Sequence, residues 1–207
     1  MPKLLHIQAS PMNDRSFSAR AARAFLDAYR RAHPADTVET LDIWTGDVPA
    51  FDAAAASGKY KVMRGLPHAE AEARAWSRVV ETLSHFKSFD KYLVSAPMWN
   101  FGIPYRLKQY LDVIVQPGLT FSFDPKTGYS GLVTDRPIQL ILARGGAYPH
   151  GSGAAAMDHQ RSYLELIFGF IGFTDIRTLV VEPTLAPGAD DTLATVTAAA
   201  QSAGQRF

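Results

Sequence analysis

The sequence predicts a doubly wound α/β domain, a three-layer α/β/α sandwich built around a five-stranded parallel sheet. Three observations predict it. Apolar runs of strand length alternate with longer helical patterns, the signature of βαβ units whose sheet is covered on both faces. Three of those runs end in loops of unusual composition, rich in serine, aromatic residues or glycine, where an open α/β sheet binds its ligands. The 207 residues, 47% hydrophobic and 20% charged, suffice for one compact domain that buries roughly 70% of its unfolded surface, so residues 1–207 are expected to form a single domain.

The elements follow in order. A first strand near Leu4 to Ala9 is followed by Ser10, the turn-rich Pro11-Met12-Asn13-Asp14-Arg15, and Ser16-Phe17-Ser18, which opens an Ala-rich helix to about Ala32. A second strand falls near Val38 to Ile43. The segment Trp44 to Pro67, with its Pro, Gly and the run Ala53 to Ala56, interrupts the alternation and is expected to hold extra helix or loop. A helix near Glu70 to Lys87 leads to a third strand, Tyr92 to Ala96, and then to a helix near Pro104 to Gln116. Thr120 to Arg136 reads as a hairpin excursion, because D-P-K-T-G is a turn signal between two short extended pieces. A fourth strand near Ile138 to Ala143, a helix near Ala155 to Phe170, a fifth strand at Asp175 to Val181 and a helix near Asp191 to Ala200 complete the pattern. Five strands and five helices suit a flavodoxin-like domain of strand order 2-1-3-4-5, in which strands one, three and four are neighbours.

Composition excludes several function classes. A net charge of +1, mixed along the chain, gives no electrostatic reason to invoke nucleic acid or an acidic membrane. The absence of Cys removes disulfides, thiolate nucleophiles and Cys-ligated metals. The histidines show no ligand spacing, and no H-E-x-x-H or G-x-S-x-G is present, so no metal site is expected. The first ten residues read as a strand rather than a secretory signal, and no run approaches the roughly 18 apolar residues of a spanning helix. A cytoplasmic location is therefore expected.

The three loops carry the chemistry. Ser10, Ser16 and Ser18 place hydroxyls beside a helix N-terminus, whose free N–H groups and positive dipole end favour a phosphate. Ser16 alone would equally suit a helix N-cap. Neither G-x-x-x-x-G-K-[ST] nor G-x-G-x-x-G is present, so a monophosphate fits better than a triphosphate. Pro97, Met98, Trp99, Asn100 and Phe101 offer aromatic planes, an amide and consecutive backbone donors, which a flat polar heterocycle requires, or two aromatics packed into a core. Gly145 and Gly146, after Ala143 and Arg144, let the backbone approach a ligand without Cβ interference or simply supply positive φ in a turn. Arg144 could instead form an ion pair within the domain. Tyr148 and His150 lie just beyond and are candidates to face a substrate.

Taken together, Ser10 with Ser16-Phe17-Ser18, then P-M-W-N-F-G-I-P-Y-R-L-K-Q-Y-L-D, G-L-V-T, A-R-G-G-A-Y and Y-L-E-L-I-F-G-F-I-G-F-T-D-I resemble the FMN-dependent NADH:azoreductase and NAD(P)H:quinone oxidoreductase family of the flavodoxin-like superfamily. The resemblance runs from the first strand to about Glu182. It implies a non-covalent FMN, its phosphate held by Ser10 and Ser16 to Ser18, its ring against Met98 to Phe101 and Ala143 to Gly146. It also implies a homodimer with its sites at the interface, a role open to the helical stripe Ile103, Leu107, Leu111, Ile114 and to the apolar stretch Tyr163 to Phe173. Two positions depart from the family: Trp99 stands where Tyr is common and Ala143 where Ser is common, and both bear on substrate preference.

The implied activity is two-electron, ping-pong reduction of quinones and azo compounds by NADH or NADPH, with the protein supplying orientation and electrostatics. Backbone donors near Asn100 and Gly145 would stabilise negative charge on the reduced cofactor. No catalytic side chain stands out. Three rivals stay open on the sequence: a flavodoxin-type electron carrier, an FAD-using quinone reductase, and a flavin-free binding protein.

Overall fold

A computed structural model describes residues 1–149 and 151–207, so the candidate His150 lies outside the described residues. Seven strands are present among them: β1 (Lys3–Gln8), β2 (Thr37–Asp42), β3 (Lys91–Pro97), β4 (Phe121–Asp124), β5 (Gly128–Gly131), β6 (Pro137–Ala143) and β7 (Asp175–Val181). The helices are α1 (Phe17–Ala32), α2 (Ala53–Met63), α3 (Glu70–Lys87), α4 (Tyr105–Ile114), α5 (His159–Ile171) and α6 (Ala189–Gln205).

The central sheet is parallel throughout, in the order β2-β1-β3-β6-β7. This corrects the expected 2-1-3-4-5. The hairpin excursion forms its own two-stranded antiparallel sheet, so its strands take the fourth and fifth places in the chain and leave the central sheet to β6 and β7. Antiparallel strands close with a short turn, here Asp124 to Gly128, whereas the parallel neighbours β3 and β6 need a long crossover that has room for α4 and the hairpin.

Strand alternation sends side chains into two cores. Leu5, Ile7, Tyr92, Val94, Leu140 and Leu142 face α3, α4 and α5, with Phe86, Tyr110, Leu111 and Phe168 opposite them. Leu4, Leu93, Ile141 and Val181 face α1 and α6, where Phe25, Tyr29 and Phe207 pack. Helix α1 approaches α6 closely because Gly204 has no side chain: a Cβ there would stand 2.3 Å from the Phe25 carbonyl oxygen. His6 lies in β1 on this second face, fully buried, with Nε2 2.9 Å from Ser95 Oγ. Burial first, and Arg30 second, push its pKa down to about 3, so it stays neutral in the fold.

The stripe on α4 is resolved by the same packing. Leu107, Leu111 and Ile114 are core residues, and Ile103 alone of the four is partly exposed. On α5, Leu164, Phe168 and Ile171 are buried, whereas Leu166 is 69% exposed. The excess helix expected between Trp44 and Pro67 is α2, capped by Asp52, whose carboxylate accepts from the Ala55 N–H at 3.0 Å. It is tied to α3 by Glu72, which accepts from Lys61, Ser57 and the Ala69 N–H and is thereby held at a pKa of about 2. Among the described residues no helix is long and apolar enough to cross a membrane.

Candidate functional site

The carboxyl ends of β1, β3, β6 and β7 and the N-terminus of α1 surround a cleft of about 340 Å³. It is lined by Ser10, Pro11, Met12, Arg15, Ser16, Phe17, Pro97, Met98, Trp99, Ala143, Gly145, Thr184 and Leu185. The three loops expected to converge do so at the point where the strand order reverses, between β1 and β3.

At one end of the cleft the chain leaves β1, makes a short 3-10 turn at Asn13–Arg15 and enters α1. Ser16 is the helix N-cap that the sequence allowed, and it also faces the cleft. Its hydroxyl caps α1, accepting from the Ala19 N–H at 3.4 Å, and it lines the cleft. Ser16 Oγ lies 3.0 Å from Ser18 Oγ, which is fully buried and reaches the cleft only through Ser16. Ser10, also buried, accepts weakly from the Met12 N–H at 3.4 Å and keeps hydrogen-bonding capacity in reserve. Hydroxyls, the open first turn of α1 and the Arg15 guanidinium together form a donor set for an anion.

The opposite wall is flat and aromatic. After β3, Trp99 and Gly102 exchange two backbone hydrogen bonds at 3.0 and 2.9 Å, which closes a tight turn over Asn100 and Phe101. Both central residues have positive φ, 48° for Asn100 and 68° for Phe101, the geometry of a primed hairpin turn. Asn tolerates that region and Phe does so at a cost, so the surrounding contacts must hold the turn. Trp44 supplies one of them: its Nε1 donates to the Ala9 carbonyl at 3.1 Å, and its ring centroid lies 5.5 Å from Trp99 and 5.3 Å from Tyr105. Trp99 therefore lines the cleft as a braced plane. Phe101 projects beyond the turn, 45% exposed, edge-on to Tyr148 at 6.4 Å. Asn100 and Phe101 lie at the rim, outside the lining.

The third wall is the β6 loop. Ala143 and Gly145 line the cleft, and Gly146 sits behind them against Tyr148, whose hydroxyl would be 3.5 Å from a Cβ at that position. Among the described residues, no protein acceptor meets the N–H of Gly145, Gly146 or Asn100. Arg144 departs from its expected place. Its side chain turns away from the cleft into ion pairs with Asp158 and Glu182, the internal role that the sequence left open. Sequence reasoning missed Thr184 and Leu185. They follow β7 and are drawn beside the β6 loop by two backbone bonds, Thr184 N–H to the Arg144 carbonyl at 2.9 Å and Leu185 N–H to the Gly145 carbonyl at 3.2 Å. No motif marks them; their one signal is that β7 also ends at the carboxyl edge. Pro11, Met12 and Arg15, also in the lining, could have been found by adjacency to Ser10 and Ser16.

An open parallel sheet with a serine-lined helix N-terminus, an aromatic turn and a glycine loop at its carboxyl edge defines a flavodoxin-like ligand-binding protein. Comparison with known proteins agrees and goes further. The flavodoxin-like fold family matches residues 2–207. An FMN-dependent NADH:quinone oxidoreductase of Nitratidesulfovibrio vulgaris is 52% identical over 190 residues, covering 92% of this chain and 90% of that one. A protein of the same name from Desulfotalea psychrophila is 48% identical, covering 91% and 89%. Among solved structures, an azoreductase from Bacillus anthracis is 31% identical and superposes with a TM-score of 0.92 over the whole of both chains. An FMN-dependent NADH-azoreductase from the same species, in complex with FMN, is 28% identical with a TM-score of 0.92, covering 100% of this chain and 99% of that one. The chain belongs to this family of flavodoxin-like FMN-dependent NADH:quinone oxidoreductases and azoreductases.

Proposed function

We propose that this chain is an FMN-dependent NADH:quinone oxidoreductase that also reduces azo compounds, with residues 1–207 forming one flavin-binding domain. The observation that supports this reading most is the polarity of the cleft. Hydroxyls, a helix N-terminus and Arg15 gather at one end, and a braced tryptophan plane with unpaired backbone N–H groups lies at the other. That pattern fits a molecule with an anionic tail and a flat, polar-edged head. Ser10, Ser16 and the first turn of α1, with Ser18 orienting Ser16, would hold the phosphate of FMN. Pro97 to Phe101, Ala143, Gly145 and Gly146 would hold its ring system.

Bound FMN supplies two-electron transfer between a reduced nicotinamide and an acceptor. The chain supplies placement and field. The N–H groups of Gly145, Gly146 and Asn100, which meet no protein acceptor among the described residues, would be available to negative charge developing on the ligand, and fixed dipoles need no reorganisation to stabilise it. Ser10, Ser16 and Arg15 anchor the far end, so that binding energy remote from the reaction orients it. A single cleft that admitted donor and acceptor in turn would give ping-pong kinetics. Tyr148, against Phe101, would meet the acceptor.

We read the assembly as a homodimer with the sites at its interface. An apolar groove of about 420 Å³ runs past Ile103, Tyr163 and Leu166, beside the Trp99 to Gly102 turn, and the hairpin exposes Phe123 and Tyr129 nearby. Patches of that kind favour association. A reaction that draws on NADH is read as cytoplasmic.

The test is the anaerobic visible spectrum of purified protein that has been supplied with FMN and desalted, before and after one equivalent of NADH. Retained yellow flavin that bleaches promptly is expected. Loss of the flavin on desalting, or flavin that stays oxidised with NADH, would overturn the reading.

A further inference from the structure

Arg144 is 2% exposed, the only Lys, Arg, Asp or Glu of the described residues to be so completely enclosed. It stands between Ala143 and Gly145, both of which line the cleft, and yet its side chain does not. Its guanidinium instead collects three partners from two other places in the chain, the start of α5 and the end of β7. Nη2 lies 2.7 Å from Oδ2 of Asp158, the N-cap of α5, a charge contact whose alignment is too poor for a hydrogen bond. Nη1 donates to Oε2 of Glu182, just after β7, at 3.3 Å, and Nε donates to Oε1 of Gln160 at 3.3 Å.

Two of the partners reach on to a segment of the site. Gln160, fully buried, donates from Nε2 to the Ala96 carbonyl at 3.2 Å, one residue before Pro97 and two before Met98. Glu182 also accepts the Tyr148 N–H at 3.0 Å. The backbone of the loop is tied in parallel: Met98 N–H donates to the Ala143 carbonyl at 2.7 Å, and the Arg144 N–H to the Val181 carbonyl at 3.0 Å. The end of β3, the β6 loop, the end of β7 and the start of α5 therefore all meet at one planar cation.

Burying a guanidinium with two carboxylates is a poor way to gain stability, since well-packed apolar residues of the same volume serve as well or better. A rigid fork does something that apolar packing does not, because it fixes the directions as well as the distances of its partners. We propose that Arg144 is a positioning residue, whose buried fork sets the spacing between the Pro97-Met98 turn and the Gly145-Gly146 backbone and so pre-forms the two walls that hold a planar ligand. The inference rests on the flavin reading for the identity of that ligand and on the hydrogen-bond network alone for the positioning.

The experiment pairs two readouts on wild type, Arg144→Met and Glu182→Ala. The first is hydrogen exchange of the ligand-free chain, followed by mass spectrometry. The amides of Met98 and Tyr148, both hydrogen-bonded in the fold, are expected to exchange about tenfold faster or more in Arg144→Met, with β1 and β3 unchanged. The second is FMN binding followed by fluorescence quenching, in which the dissociation constant is expected to rise about tenfold or more. Arg144→Lys, which keeps the charge and loses the fork, is expected to rescue neither fully. Should Arg144→Met fail to fold, Glu182→Ala carries the test, since it removes one arm and leaves Asp158 and Gln160 in place.

Unchanged exchange in the two loops and unchanged FMN affinity would overturn the inference while leaving the flavin reading intact. Exchange raised uniformly across the sheet, with FMN affinity of the folded fraction unchanged, would show Arg144 to be structural and also overturn it. A wild-type chain that binds no FMN would defeat the flavin reading, and the exchange data would then decide the positioning role on their own.

Discussion

Strand β6 runs from Arg136, just before it at the amino edge of the sheet, to Arg144, just after it at the carboxyl edge, and the two guanidiniums meet opposite kinds of partner. Arg136 Nη1 donates to the Lys87 carbonyl at 2.6 Å and to the Tyr92 hydroxyl at 3.0 Å. That hydroxyl donates onward to the carbonyls of Phe86 and Phe89, and burial, against the pull of Arg136, pushes its pKa up to about 12. Nearby, Asp90 accepts the Lys3 N–H at 2.8 Å. Side chains at the amino edge thus satisfy backbone groups. At the carboxyl edge Arg144 turns to other side chains, Gln160 and Glu182 by hydrogen bonds and Asp158 by charge alone, and among the described residues the N–H groups of Gly145 and Gly146 beside it meet no protein acceptor. One end of the sheet completes its own hydrogen bonding, and the other reserves donors for something else.

The largest effect is expected in the helical layer behind the sheet. Gly204→Val would drive a side chain into the Phe25 backbone between α1 and α6, and neither helix can yield without leaving the sheet. A loss of about 3 kcal/mol in urea unfolding is expected, with FMN affinity of the folded fraction unchanged. His6 tests the interior between the two ends. Its folded pKa of about 3 lies below the ordinary 6.5, so the unfolded chain binds a proton first. Its contribution is fully present above about pH 6.5 and is lost as the pH falls toward 3, with a slope of up to about 1.4 kcal/mol per unit. His6→Asn should flatten unfolding free energy against pH over that window; an unchanged slope would remove His6 from the account.

The open side is probed by smaller effects. Ser10→Ala is expected to weaken FMN binding about tenfold with little change in stability, because the hydroxyl has only a weak internal bond. Ser16→Ala should weaken binding similarly and also cost about 1 kcal/mol of stability, because Ser16 caps α1. Calorimetry with and without FMN separates the two. The smallest effect belongs to neither edge: Arg74→Ala, removing an exposed pair with Glu70 on α3, should change stability by less than about 0.5 kcal/mol and leave FMN binding alone.

Much of this architecture was legible in the sequence where local rules and tertiary packing agree. Helix α1 starts at Phe17 as read because Ser16 caps it, and α3 spans Glu70 to Lys87 because its apolar spacing is the face it buries. Helix α5 begins at His159, later than Ala155, because Asp158 is its true cap and accepts the Arg161 N–H at 2.9 Å; the Ala-rich residues before it form only a 3-10 turn. Helix α6 is longer than its weak periodicity suggested, since contact with α1 through Gly204 continues to its end. Within the site, Ser10 and Met98 were legible because they closely follow strands, and Ser16 because it opens a helix. Thr184 and Leu185 were not, because hydrogen bonds to Arg144 and Gly145, more than thirty positions earlier in the chain, bring them there.

The central claim is that the carboxyl edge holds FMN by its phosphate at the start of α1 and by its ring between the aromatic turn and the glycine loop. Titrating the ligand-free protein with FMN and, separately, with riboflavin, which has the same ring and no phosphate, tests it most directly. FMN is expected to bind tightly and riboflavin at least about a hundredfold more weakly, since charge-assisted hydrogen bonds to several donors are lost together. Equal affinity for the two, or binding of neither, would contradict it.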